Sequence, residues 1–183
     1  MSRSLQHQRQ QAGFTLLEAA VVMAVLAVIM TVAVPNYRSH LQRQQLREAA
    51  NSLLVDLRNA REMSVSQRTP MFVSFHLGPN WCWGVSQGMP CDCGPTVAGS
   101  AKAVDPATGR PKACSLTRHK GSEFPDVSMD GATDAKFEPT LGQAPQHGST
   151  TFSSGRGQKL QVDLNAMGRA QVCGPATSSA TPC

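Results

Sequence analysis

From Phe14 to Val34 the chain reads FTLLEAAVVMAVLAVIMTVAV, twenty-one residues in which Glu18 is the lone charge. At about 1.5 Å of rise per residue, a helix of this length spans roughly 30 Å, the thickness of a bilayer's hydrocarbon core. The pattern therefore predicts a transmembrane helix over 14–35. After Pro35 it turns amphipathic: Tyr37, Leu41, Ala49, Leu53, Leu57 and Ala60 recur at mostly fourfold spacing, with Arg38, Arg43, Arg47, Arg58, Arg61 and Glu62 elsewhere. A helix to about Ser66 is indicated, and its apolar stripe needs a cover. The arginines read as solvated or subunit-facing surface, since Glu48, Asp56 and Glu62 are interspersed.

Beyond Thr69 the texture changes to short apolar, β-branched or aromatic runs between Gly, Pro, Asn and Asp clusters, which predicts strands. The candidates are Met71–His76, Trp81–Ser86, Phe124–Met129, Thr150–Ser153, Leu160–Leu164 and Ala170–Cys173. An antiparallel sheet laid on the helix would supply the missing cover, so the fold class expected is α+β: a long N-terminal α-helix packed on an antiparallel β-sheet head. Trp81 and Trp83 share one face of their strand, and core packing is the expectation for both. The stretch from Gln87 to Gly121 is long for a structureless loop.

Length and charge refine this picture only slightly. With 183 residues there is room for one globular domain and an appendage. Setting aside Arg3 and Arg9 leaves 15 Lys and Arg against 12 Asp and Glu, a net +3, too little to imply nucleic-acid binding by itself. The cysteines say more. Cys82, Cys91, Cys93, Cys114, Cys173 and Cys183 form an even set confined to the part of the chain beyond the apolar segment. That distribution favours disulfides in an oxidising compartment, with fifteen pairings open. A pairing of Cys173 with Cys183 would close a small terminal loop, and Cys82 is a legal partner for either. Cys91-Asp92-Cys93 offers two thiolates to a metal, but the second C-x-x-C-like pair of a zinc site is missing, so no metal and no cofactor are expected.

The first 13 residues contain Arg3, His7 and Arg9 and no acid, which directs the N-terminus to the cytoplasm and the chain beyond the apolar segment to export. A cleaved secretory signal fits poorly, because its apolar region is shorter and Pro35 stands where its cleavage site is wanted. A plain anchor leaves Glu18 unexplained, since a carboxylate in an apolar helix costs a few kcal/mol, about 3, unless a cation partners it.

Gly13-Phe14-Thr15-Leu16-Leu17-Glu18 resembles the processing site of type IV prepilins and pseudopilins. The resemblance implies a leader over 1–13, a cut after Gly13 by prepilin peptidase, and N-methylation of Phe14. It also implies assembly roles for Glu18 and for Pro35, with Glu18 meeting the N-terminal amine of a neighbouring subunit. Ala20, Ala24 and Ala27 add small residues at helical spacing. The mature chain then divides into a filament-core helix over 14–35 and a periplasmic, disulfide-bonded, type IV pilin-like head over 36–183.

The runs LREAANSLLVDLRNAREMSVSQ and SSGRGQKLQVDLNAMGRAQVC are similar to the GspH/FimT family of minor pilins and pseudopilins. That likeness implies a structural subunit at the inner membrane and then in a filament. Its partners would be other pilins, prepilin peptidase and an inner-membrane assembly platform. The subunit would serve a type IV pilus, or alternatively a type II secretion system. Some members with a GRxR motif bind DNA in natural transformation. Here Gly168-Arg169-Ala170-Gln171 lacks the second arginine, so a DNA contact would rest on Arg156, Lys159, Gly168 and Arg169, few cations for phosphate binding. Enzymatic motifs are missing: the histidines are scattered, and no G-x-S-x-G or H-E-x-x-H occurs. Gly155-Arg156-Gly157-Gln158-Lys159 lacks phosphate-loop spacing and reads as a hairpin turn.

Overall fold

A computed structural model describes residues 15–94, 104, 106–107 and 112–174, without the side chains of residues 32–36 and 38. Gly13, Phe14 and Cys183 lie outside the described residues. The chain falls into two compact units, Met1–Ser39 and His40–Cys183.

Helix α1 runs Leu16–Ser66, so Pro35 does not end it. Its start is capped by Thr15, whose hydroxyl accepts the Glu18 N–H at 3.3 Å; this satisfies one of the backbone donors that a helix N-terminus leaves over. Its end is a left-handed stop. Arg68 takes φ 53°, and the Thr69 N–H reaches back to the Ser64 carbonyl at 3.3 Å. Helices that end this way usually put glycine there, and a side chain costs about 1 kcal/mol. Pro70 then blocks any further turn.

In the second unit, Leu46, Ala49, Ala50, Leu53, Leu57 and Ala60 are buried under the head. Tyr37 and Leu41 are corrected members of the expected stripe: they are 64% and 39% exposed. Within the second unit the buried stripe starts at Leu46, five residues after Leu41.

The head has two antiparallel four-stranded sheets where one was expected. The first comprises β1 (Met71–His76), β2 (Cys82–Gln87), β3 (Thr117–Lys120) and β5 (Ala135–Phe137), in the order β3-β2-β1-β5. The second comprises β4 (Val127–Gly131), β6 (Gly148–Ser154), β7 (Lys159–Leu164) and β8 (Ala170–Cys173), in the order β4-β6-β7-β8. The six expected strands are all present within a few residues of their expected bounds. β3 and β5 are the additions, and both lie at sheet edges.

Helix and sheets contribute to one apolar core. Trp81 and Trp83 stack at 5.9 Å and meet Phe152 of β6 at 5.7 and 5.9 Å, so an aromatic group joins the two sheets. The indole N–H of Trp81 donates to the Val127 carbonyl at 3.1 Å, which allows the ring to be buried without losing a hydrogen bond.

Two disulfides pin the segment between β2 and β3: Cys82–Cys93, with Cα atoms 5.9 Å apart, and Cys91–Cys114, at 4.9 Å. Closing loops of 11 and 23 residues is worth about 3 kcal/mol each. Cys91 and Cys93 thus serve different bridges. Cys173 is also disulfide-bonded. Gly84 of β2 makes room for the second bridge, since a Cβ there would collide with Cys114.

The turns after β5 and β7 interlock. Gly168 has φ +73°, and a Cβ on it would strike the Gly142 carbonyl oxygen, while the Ala144 N–H donates to the Ala166 carbonyl at 2.9 Å. Gly157 has a similar φ, +78°, with open space around it. Gly157→Ala is therefore expected to cost about 1 kcal/mol and Gly168→Ala about 3 kcal/mol. Thermal unfolding of the full chain in detergent measures the difference; equal losses would show that the turn–turn contact contributes nothing.

Candidate functional site

Two surfaces and one buried polar cluster stand out. In the first unit, every described side chain from Thr15 to Thr31 is exposed, Leu16 at 87%, although nearly all are apolar. A helix apolar all round is stable only when something apolar surrounds it. The Thr31 hydroxyl is satisfied internally, donating to the Val28 carbonyl at 2.7 Å. Glu18 is exposed, and among the described residues it has no ion pair. The small residues Ala20, Ala24 and Ala27 are exposed as well. Among the described residues no helix is long and apolar enough to cross a membrane. The described side chains here stop at Thr31, whereas the segment read from the sequence extends from Phe14 to Val34 and its flanking Pro35 has no described side chain.

The four residues expected for a DNA contact do not share one surface. Arg156 lies in the β6–β7 turn, where the Gly157 N–H donates to the Ser154 carbonyl at 2.8 Å, so Gly155–Lys159 is the expected hairpin turn. Lys159 pairs with Asp130 at 3.1 Å. The Ser153 hydroxyl, donating at 2.7 Å, holds the Asp130 carboxyl below its usual range, and Lys159 adds to this. Gly168 and Arg169 follow the other end of β7, about 17 Å along the strand from Lys159. There the Arg169 N–H donates to the Asn165 side chain at 3.0 Å. Its side chain borders an open groove shared with Arg58 and Arg61 of α1.

The buried cluster lies where α1 meets the first sheet. Asp56 Oδ2 accepts the Trp83 indole N–H at 2.7 Å and lies 3.5 Å from His119 Nε2. His119 Nδ1 lies 2.8 Å from Glu123 Oε2, and its ring packs on Trp83 with centroids 4.9 Å apart. Burial raises the Asp56 carboxyl above its usual range, opposed by the Trp83 hydrogen bond and by His119. Sequence reasoning missed this pair, taking Asp56 as a surface acid and His119 as one of several scattered histidines. One signal was available: Asp56 lies three residues after Leu53 and four before Ala60, in the apolar stripe itself.

These features are those of a subunit that exposes an apolar helix and carries a self-contained, disulfide-braced head. Residues 8–34 match the prokaryotic N-terminal methylation motif, and residues 49–168, more than half of the chain, match the family described as Type II transport protein GspH. The chain belongs to the GspH family. That family is a class of membrane-anchored structural pilins and pseudopilins, assembled with other pilins after a prepilin peptidase has acted, and not a class of enzymes. Prepilin peptidase-dependent protein D of Escherichia coli (strain K12) is 29% identical over 100 residues, which cover 55% of this GspH-family chain and 60% of that protein. The match thus spans less than two thirds of the relative's length. No solved structure matches significantly.

Burial of the Asp56 carboxyl gives its contribution to stability a pH dependence of definite sign. Folded, the group holds its proton more tightly than in the unfolded chain, so its contribution to stability is full below about pH 3.9 and is lost as pH rises through its folded value. Asp56→Asn keeps an acceptor for Trp83 and removes this loss. Urea unfolding from pH 4 to pH 8 is expected to fall less steeply with pH in Asp56→Asn than in the wild type; parallel curves would contradict the assignment.

Proposed function

We propose that the chain is a minor pilin, a low-abundance structural subunit of a type IV pilus. In this reading it is made as a precursor, cut after Gly13 and methylated on Phe14 by prepilin peptidase. It is held in the inner membrane by residues 14–35 with its head in the periplasm, and an assembly platform then passes it into a filament of other pilins. The observation that supports this most directly is the exposed apolar stretch from Thr15 to Thr31, whose one carboxylate, Glu18, has no ion pair among the described residues. Lipid covers such a surface before assembly, and neighbouring helices cover it afterwards. Cleavage frees an amine at Phe14, and that amine on an adjacent subunit supplies the cation Glu18 lacks; a buried pair is tolerated where a lone buried charge is not. Exposed Tyr37 and Leu41 extend the surface to be covered. Pro35, which supplies no N–H to the helix, marks the point where the core segment gives way to the head.

A second reading, a pseudopilin of a type II secretion system, is favoured by the description of the family that residues 49–168 match. The two differ in what a deletion removes, surface pili in the first and export of folded proteins in the second. A DNA-binding pilin draws on Arg156 and Arg169, which lie toward opposite ends of β7, because Lys159 is paired with Asp130.

Glu18→Ala is expected to be inserted, cut and methylated normally, with mass spectrometry finding N-methyl-Phe14, but to be lost from sheared filaments by at least tenfold. An intact Met1 in the wild type would overturn the processing; normal incorporation of the variant would overturn the role of Glu18.

A further inference from the structure

The interlocked turns after β5 and β7 sit beside the last turns of α1 and border an open groove of about 840 Å³. Arg58, Arg61 and Arg169 line it together with one acid, Glu62. Two large apolar side chains stand among these charges, Val65 at 45% and Leu141 at 67% exposure. Arg61 Nε donates to the Gly142 carbonyl at 3.1 Å, which fixes the guanidinium and leaves its two terminal nitrogens for another acceptor. Among the described residues none of the three arginines belongs to an ion pair. Three cations against one acid, around apolar side chains on a floor held by the Gly142–Gly168 contact, are an unbalanced and preorganised arrangement.

We propose that this groove is a docking site for an acidic peptide segment that carries an apolar side chain. Its carboxylates pair with Arg58, Arg61 and Arg169, and its apolar group covers Val65 and Leu141. A peptide fits better than a nucleic acid. The groove has no aromatic side chain on which a base could stack, and an exposed leucine gains nothing from phosphate. The inference concerns the head alone and stands apart from the filament reading, since binding needs no assembly.

The test uses the full chain in detergent micelles and fluorescence anisotropy with a labelled peptide of Asp and Gly around one central Leu. Arg58→Gln combined with Arg169→Gln is expected to weaken binding at least tenfold, and Leu141→Ser several-fold. Both replace exposed side chains, so unchanged thermal unfolding confirms that the fold is intact. Replacing Asp by Asn in the peptide should abolish binding, and replacing its Leu by Ser should weaken it. No binding by the wild type, or equal binding by the variants, overturns the proposal. It is also overturned if a single-stranded oligonucleotide binds more tightly with the same dependence on the arginines.

Discussion

The head depends on how closely the second half of α1 can approach the sheets. Ala49, Ala50 and Ala60 are fully buried, and their small side chains let the β-layers come near the helix backbone while Leu53 and Leu57 fill the space on either side. Trp83, Phe137 and Phe152 complete that core from both sheets, so a larger residue at any of these alanines would push the sheets off the helix. Two disulfides, Cys82–Cys93 and Cys91–Cys114, add to this contact. They brace the long segment between β2 and β3, which offers few apolar groups of its own.

One helix carries two carboxylates in apolar surroundings, and they are handled in opposite ways. Asp56 finds its partners within the chain, an indole N–H and a histidine from the first sheet. Glu18 finds none among the described residues. Asp56 therefore belongs to the stability of the head, whereas a partner for Glu18 on another molecule is part of the filament role proposed above. A similar division runs along the apolar positions: Leu46, Ala49, Ala50, Leu53, Leu57 and Ala60 are covered by the chain itself, whereas the described apolar side chains from Leu16 to Met30 are exposed.

Much of this was legible in the residues. The helix end at about Ser66 followed from periodicity, and six strands followed from short apolar, β-branched or aromatic runs between Gly, Pro, Asn and Asp clusters. β3 and β5 were not legible, because TRHK has no apolar repeat and AKF spans three residues; as edge strands they exist through pairing with a neighbour rather than through their own pattern. The failure at Tyr37 and Leu41 has a different cause. Periodicity shows that a face is apolar but not which body covers it. Glu18 was readable because it is a charge interrupting a long apolar run, while Asp56 was hidden among arginines in sequence. Disulfide pairing depends on how β2 and β3 align, which spacing alone does not determine.

The contact of Gly168 with the Gly142 carbonyl joins the crossover between the sheets to a hairpin within one of them. Neither turn can lengthen or swell alone without prying the other away from α1. An insertion in one loop would therefore need a matching change in the other to keep the contact, although more than twenty residues separate them.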